Sequence, residues 1–188
     1  YYKDKKTKIK LNTKHVHSKG MRENVCLAIK IALDLNINKK IIQKTLPSLK
    51  FEGRYQYLNQ GRIKNKLHKN ETIMIDGAHS PADSLNLYNY LKTIKLPIYG
   101  IWAMSKNKEP DLFVKNLKGI FKKIVTMPIE NENSVNPNLL YKIASQNNIV
   151  SEVADNFKTA LTKISSKEKK LIVCFGSLYN CGNILNQN

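Results

Sequence analysis

The chain of 188 residues is 41% apolar and 24% charged. That is enough for one full domain of ~100–150 residues with a real core, plus an extra piece. No run approaches the ~18–20 apolar residues of a membrane span and no signal peptide opens the sequence, so neither a membrane protein nor a secreted one is expected.

The net charge of +18 raises nucleic acid as a partner, but the cations are 29 Lys against 3 Arg. Arg is the residue that reads phosphates and bases bidentately, so a solvated lysine surface is preferred to a nucleic-acid face. The lysines are densest at Lys3–Lys10, Lys64–Lys69 and Lys163–Lys170. Such charge still favours anionic ligands. Cys26, Cys174 and Cys181 are scattered with no CxxC pair, which points to buried free thiols in a reducing cytoplasm rather than to disulfides or zinc. The first residue is Tyr rather than Met, and Tyr1–Lys10 reads as an interior stretch, so the start is expected to be a cut edge.

In chain order, Glu23–Leu35 carries apolar residues densely enough to predict a largely buried helix. Asn36–Asn38 breaks it, and Lys39–Leu46 predicts a short second helix ended by Pro47. From there the pattern changes to strands alternating with helices. Tyr55–Leu58 and Glu71–Ile75 read as strands around a polar, hairpin-like Asn59–Asn70. Helix Pro81–Ile94 follows, with Ala82, Leu85, Leu87, Tyr88 and Leu91 toward one side. Next come strand Ile98–Ala103, helix Asp111–Phe121, strand Lys123–Met127, helix Asn136–Gln146, strand Ile149–Glu152 and helix Asn156–Ser165. Leu171–Phe175 is a continuous apolar strand of the kind buried on both faces, and helix Leu178–Leu185 closes the chain. The expectation is an α/β fold, a mostly parallel sheet flanked by helices, with residues 49–188 as the main domain and 1–48 as a helical piece before it. Ligands on such sheets bind beyond the C-terminal ends of the strands.

Four clusters sit where chemistry is expected. Met74-Ile75-Asp76-Gly77-Ala78-His79-Ser80-Pro81 delivers an acid from a strand end and a histidine just before a helix. Asp76 there can accept from ribose hydroxyls and His79 can donate to an anion, or both can be satisfied locally by a turn and by backbone. In Phe51-Glu52-Gly53-Arg54-Tyr55-Gln56, a rare Arg follows a Gly that lets backbone approach a ligand, which suits a phosphate contact as well as a surface strand start. Gly176-Ser177 follows the buried strand, offering N–H groups and a hydroxyl to a carboxylate, or a plain N-cap. Ala103-Met104-Ser105-Lys106-Asn107-Lys108-Glu109 is a polar loop with cations able to pair a substrate carboxylate.

In this order and spacing the clusters resemble folylpolyglutamate/dihydrofolate synthases of the Mur ligase superfamily. Glu52-Gly53-Arg54-Tyr55-Gln56 is similar to the family's Pro-Gly-Arg-Phe/Leu-Gln, and Asp76-Gly77-Ala78-His79-Ser80-Pro81 to Asp-x-Ala-His-Asn-Pro. The Met104 to Glu109 loop resembles a Gly-Met loop leading to Asp-Lys-Asp, Phe175-Gly176-Ser177 a strand ending in Gly-Ser, and Asn24-Val25-Cys26-Leu27-Ala28 an Asn-Ala-Ala-x-Ala helix start. Ser80 departs from the family's Asn, Asn107 from its Asp, Glu52 from its Pro, and Met21-Arg22 from a His-Gln pair.

The resemblance implies a ligase in which ATP and Mg²⁺ activate a dihydropteroate or folate carboxylate as an acyl phosphate, which the amine of L-glutamate attacks. It assigns Asn24, Arg54 and Asp76 to ATP, at adenine, phosphates and ribose in turn, and His79, Lys108 and Ser177 to glutamate. No GxxxxGK[ST] phosphate loop occurs in the 188 residues, and the family's magnesium ligands and folate site belong to its large domain. The chain is therefore expected to be half an active site, with residues 1–48 the tail of a P-loop ATPase domain that is its partner. The alternatives are a non-catalytic remnant or lysine-rich binding module of the same fold, and a peptidoglycan-type ligase domain.

Overall fold

The computed structural model describes residues 1–188 apart from Lys6 and Glu132. Lys6, one of the first lysine group, lies outside the described residues. The chain divides into two compact units, Tyr1–Glu52 and Gly53–Asn188.

In the first unit, strands β1 (Tyr2–Lys3) and β2 (Lys8–Ile9) pair antiparallel ahead of helices α1 (Lys19–Asp34) and α2 (Lys39–Thr45). Helix α1 starts earlier than its apolar pattern suggests because Ser18 caps it, its Oγ accepting from the Met21 N–H. The expected burial of this helix is also corrected. Only Val25 and Ile29 are buried, an i,i+4 pair on one stripe, while Leu27 and Ile31 are more than half exposed. Apolar residues at every second position cannot share one face of a helix turning ~100° per residue. Asn38 caps α2 through its side chain on the Lys40 N–H, and Pro47 sits in a 3₁₀ turn, Leu46–Ser48, that ends the segment. The core of this unit is Tyr2, Ile9, Val16, Val25, Ile29, Ile42 and Leu46.

The second unit is an α/β domain. Its elements are β3 (Gln56–Tyr57), α3 (Arg62–Lys66), β4 (Glu71–Asp76), α4 (Pro81–Leu91), β5 (Ile98–Trp102), α5 (Pro110–Lys115), β6 (Lys123–Thr126), α6 (Pro137–Gln146), β7 (Ser151–Val153), α7 (Phe157–Ile164), β8 (Lys170–Phe175) and α8 (Leu178–Asn186). They form a six-stranded sheet of order β3-β4-β8-β5-β6-β7, parallel except for β3, which pairs antiparallel with β4 at one edge. The segment 59–70, read as polar and hairpin-like, instead holds the short helix α3, whose Ile63 is buried in the core.

Strand β8 is last in sequence yet lies between β4 and β5, and all six of its residues are buried, the five of Leu171–Phe175 as their unbroken apolar run demands. Alternation splits the sheet's side chains between two cores. Ile73, Ile75, Ile101, Val125, Ile172 and Cys174 face α7 and α8 on one side. Trp102 and Phe175 point to the other, where Phe113 of α5 stacks on both rings. Helix α4 buries Leu87 and Leu91, but Leu85, expected on the same face, is exposed.

One buried polar network fixes the register at the opposite end of the sheet from the strand tips. Glu71 and Lys170 are cross-strand partners at the start of β4 and β8, and both side chains are buried. Glu71 accepts from the Ser165 hydroxyl and the Ser166 N–H, while Lys170 Nζ donates to the Ile164 carbonyl and Ser166 Oγ. Lys170, counted among the solvated lysines above, is thus a structural cation. No helix among the described residues is long and apolar enough to cross a membrane.

Candidate functional site

Inserting β8 between β4 and β5 brings three strand ends side by side, Asp76 beside Phe175 and Phe175 beside Trp102. In an open parallel sheet the crevice at such an inserted strand is where ligands sit, because the following loops diverge there. Three of the sequence clusters meet at this edge, and the loop carrying the fourth starts from it.

Asp76 ends β4 and is 1% exposed. Its Oδ2 accepts from the Tyr55 N–H and its Oδ1 from the Ala78 N–H, both at 2.8 Å. Burial pushes its pKa up to about 6, against the lowering effect of those two hydrogen bonds and of the Arg54 charge. The Gly77 N–H donates to the Gly53 carbonyl, and the Gly53 N–H to Gln56 Oε1. The turn bearing Arg54 is therefore tied to the tip of β4 at several points.

That turn is conformationally demanding. Gly53 has φ +66° and Tyr55, which is not a glycine, has φ +47°. A side chain in the left-handed region is held there only when its surroundings over-determine it. Here Tyr55 is buried edge-on against the Tyr90 ring of α4, with ring centres 4.9 Å apart, and the Tyr90 and Tyr57 hydroxyls share a hydrogen bond of 2.8 Å. Arg54 itself is half-buried and makes no hydrogen bond or ion pair within the described residues.

His79 follows on the same loop. Its Nδ1 lies 2.9 Å from the Gly77 carbonyl oxygen, which can only accept, so Nδ1 carries the proton and Nε2 has no partner among the described residues. Ser80 caps α4 reciprocally with Asp83, so the hydroxyl found here serves the helix start in place of an amide.

Gly176 has φ +106°, and a Cβ built on it would lie 2.3 Å from the Ala103 carbonyl oxygen, so the tips of β8 and β5 touch as only glycine allows. Trp102 Nε1, buried in the same contact, has no hydrogen-bond partner among the described residues. Ser177 stands at the N-cap of α8 but makes no capping bond, and although it is 3% exposed its hydroxyl bonds to nothing in the described protein. The N-terminus of α8 closes on the Arg54 turn and the Asp76 loop. A Cβ on Gly77 would strike Leu178 at 2.3 Å, and one on Gly53 would meet Cys181 at 3.1 Å.

Lys108 lies exposed on the loop after β5, without a partner among the described residues. That loop is tied to Asn133 and Val135 by the Lys106 N–H on the Asn133 carbonyl and the Val135 N–H on the Met104 carbonyl. Asn24 belongs to the other unit, exposed on α1. The structure thus gathers Arg54, Asp76, His79 and Ser177 around β4, β8 and α8. The thiols of Cys174 and Cys181 are free and buried, and burial pushes the Cys181 thiol up to about 12, so it is inert; Cys26 is only half-buried. Tyr90 and Leu178, which shape the Arg54 turn from two different helices, carry no sequence signal because their partners are remote in the chain. Among the described residues no group of three or more His, Cys, Asp or Glu is placed to hold a metal ion.

Residues 59–187, more than half of the chain, match the family model of the dihydrofolate synthetase C-terminal domain. The chain belongs to this family. Solved structures agree in fold. Mycobacterium tuberculosis folylpolyglutamate synthase complexed with ADP superposes with a TM-score of 0.79 at 17% identity, over 91% of this chain and 40% of that one. The Thermotoga maritima folylpolyglutamate synthase gives 0.67 at 23% identity, over 89% and 38%. A bifunctional folylpolyglutamate synthase/dihydrofolate synthase with Mn, AMPPNP and L-glutamate bound gives 0.70 at 15% identity, over 92% and 40%. The chain therefore spans about two fifths of the length of these structures. No curated protein matches it by sequence with significance.

Proposed function

We propose that this chain supplies the glutamate-side half of an ATP-dependent folate ligase, which adds L-glutamate to dihydropteroate or a folate through an acyl phosphate. The observation that carries the reading is the Arg54 turn. It is a strained, multiply tied loop that carries, at the inserted-strand crevice of a dihydrofolate synthetase domain, a guanidinium with no hydrogen bond or ion pair among the described residues. Arg54 and Asp76 form the nucleotide side of this domain, and Asn24, on the first unit, keeps the adenine role that the family resemblance gives it. Arg54 meets the phosphates, where a fixed cation stabilises the charge that spreads over the transferring phosphoryl group. His79, Lys108 and Ser177 form the glutamate side, holding its carboxylates so that the amine stays free to attack. The unbonded Ser177 hydroxyl and the first N–H groups of α8 suit a carboxylate there.

The Mn and nucleotide in solved relatives fit a reaction run with ATP and Mg²⁺; the metal would neutralise phosphate charge, and this chain's part is to orient the acceptor. A P-loop ATPase domain and a folate site complete the enzyme in this reading, which acts in the cytoplasm. The test is glutamate-dependent ATP turnover when the full chain is combined with a folate-family P-loop domain. Turnover should appear with both parts present and fall by about 10³-fold or more in Arg54→Ala, the scale of losing an arginine that stabilises a phosphoryl transition state. Normal turnover in that variant, with the fold intact, would remove Arg54 from the site.

A further inference from the structure

Folding does not spread the charge of the α/β domain evenly. A parallel sheet puts every turn that feeds a strand at one end and every strand tip at the other. Lys69 lies in the turn before β4, Lys167 and Lys169 before β8, Lys95 before β5, and Lys118 and Lys122 before β6. These lysines are exposed, and among the described residues their side chains make no hydrogen bond or ion pair. The acids gather at the other end, where Asp83, Glu109, Asp111, Glu130 and Asp155 all come after a strand tip. Acids at helix starts and lysines at helix ends complement the helix dipole, which accounts for Asp83 and Lys92 on α4 and Lys163 on α7. It does not account for the six turn lysines, each three or more residues beyond a helix end, because the effect fades within the last turn.

The acids near these turns are already taken. Glu152 holds Lys123 at 2.7 Å and Lys163 at 3.4 Å, Glu168 lies 3.5 Å from Lys170, and Glu71 is buried against Lys170. Hydrogen bonds also lock the turns side by side. The Asn70 side chain donates to the Lys167 carbonyl, the Lys170 N–H to the Asn70 carbonyl, the Leu171 N–H to the Pro97 carbonyl and the Lys122 N–H to the Ile98 carbonyl. With the strand order β4-β8-β5-β6 and ~4.8 Å between neighbours, the lysines form a row about 15 Å long. Duplex nucleic acid carries a charge every ~1.7 Å of its axis, and sequence-independent binding needs that phosphate term alone. The scarcity of Arg removes base reading but not this contact, since Lys meets phosphate as a point charge. A membrane suits the row less, because stable anchoring takes a second signal, and Val150 is the one large exposed apolar residue in the turns feeding the parallel strands. Tyr99, at this end of β5, is taken by Glu168 and Lys170 and offers no platform for the stacked bases of a single strand.

We propose that the end of the sheet opposite the crevice is a sequence-independent docking surface for duplex nucleic acid, held by lysines from four adjacent turns. This surface uses none of the residues of the ligase reading and stands or falls apart from it. Binding of the full chain to a short labelled DNA duplex, followed as salt is raised, tests it. With about five of the six lysines engaged, log affinity should fall against log salt with a slope of about −4.5, or ~500-fold between about 50 and 200 mM. Two duplexes of unrelated sequence should bind equally.

Neutralising one lysine in each turn, with Lys69→Gln, Lys95→Gln, Lys122→Gln and Lys167→Gln combined, should cut the slope to about −1 and the affinity at ~0.1 M salt at least about a hundredfold. Lys10→Gln, Lys14→Gln, Lys39→Gln and Lys40→Gln combined remove the same charge from the first unit, and should change affinity by no more than about threefold. All of these side chains are exposed, so both variants should melt with the wild type. A comparable loss of binding in the first-unit variant would reduce the effect to net charge and overturn the proposal. So would a duplex affinity weaker than about 10⁻⁴ M at ~0.1 M salt, which would leave the row a solvated surface. Tighter binding to phosphatidylserine vesicles or to poly-L-glutamate than to the duplex would overturn it in favour of a membrane or an acidic protein.

Discussion

Replacing Gly176 by alanine tests the contact on which the whole crevice depends. The backbone there has φ +106°, which costs an alanine roughly 1–3 kcal/mol of strain. The added methyl would also lie 2.3 Å from the Ala103 carbonyl oxygen and 2.7 Å from Trp102 Cδ1. A backbone carbonyl directly after a central strand cannot turn aside like the end of a flexible side chain, so the tips of β5 and β8 must separate, an overpacking cost of roughly 1–3 kcal/mol. The combined loss is about 4 kcal/mol, a large share of the ~5–15 kcal/mol that stabilises a typical domain, and a fall in melting temperature of ~10 °C.

Gly119→Ala is the matched control. It also has positive φ, +80°, but a Cβ there meets nothing within 4 Å, so only the backbone penalty of about 1–2 kcal/mol applies. Urea denaturation of both variants isolates the steric part as their difference. Equal losses in the two would refute the argument that Gly176 is required by the close approach of β8 to β5.

Two further outcomes follow from the buried charges. Glu71→Gln leaves Lys170 without its buried partner across the strand pair and should cost about 3 kcal/mol in denaturant unfolding. Adding Lys170→Met should recover much of that loss, and a double variant no more stable than the single one would show that the pair is not the source. For Asp76, the folded pKa of about 6 lies above the ordinary 3.8, so between those values the native state holds more protons than the unfolded one. Stability from this group is therefore full below pH ~4 and is lost as pH rises through about 6, an effect on the order of 3 kcal/mol. The stability of Asp76→Asn should lack this downward step, and a wild-type profile without it would show that the carboxylate is not held in a desolvated site.

Legibility along the chain followed the range of the interactions. Strands and helices of the α/β domain could be read because their apolar spacing and caps are local: the run Leu171–Phe175 announces burial on both faces, and Asn136 and Asn156 announce helix starts that they do cap. Helix α1 misled because apolar residues at 25, 27, 29 and 31 look like a buried helix, although only one stripe of them meets a core. Helix α3 was missed because five residues carry too little periodicity to stand out from a polar connection. Lys170 looked like one more surface lysine, since nothing near it in sequence indicates Glu71 on the neighbouring strand.

By itself, then, the sequence determined the α/β class, the order of its elements and which loops carry the motif residues, because these follow from periodicity and from residue types that sit together in the chain. Which loops meet was decided by tertiary structure alone. The placement of β8 between β4 and β5 sets Gly176 against Ala103 and brings α8 onto the Gly53 turn. The hydrogen bond from Tyr55 to Asp76 spans 21 residues and depends on an antiparallel edge strand of two residues. No local pattern encodes such a contact, because its stability comes from burial and from partners that only the folded sheet supplies.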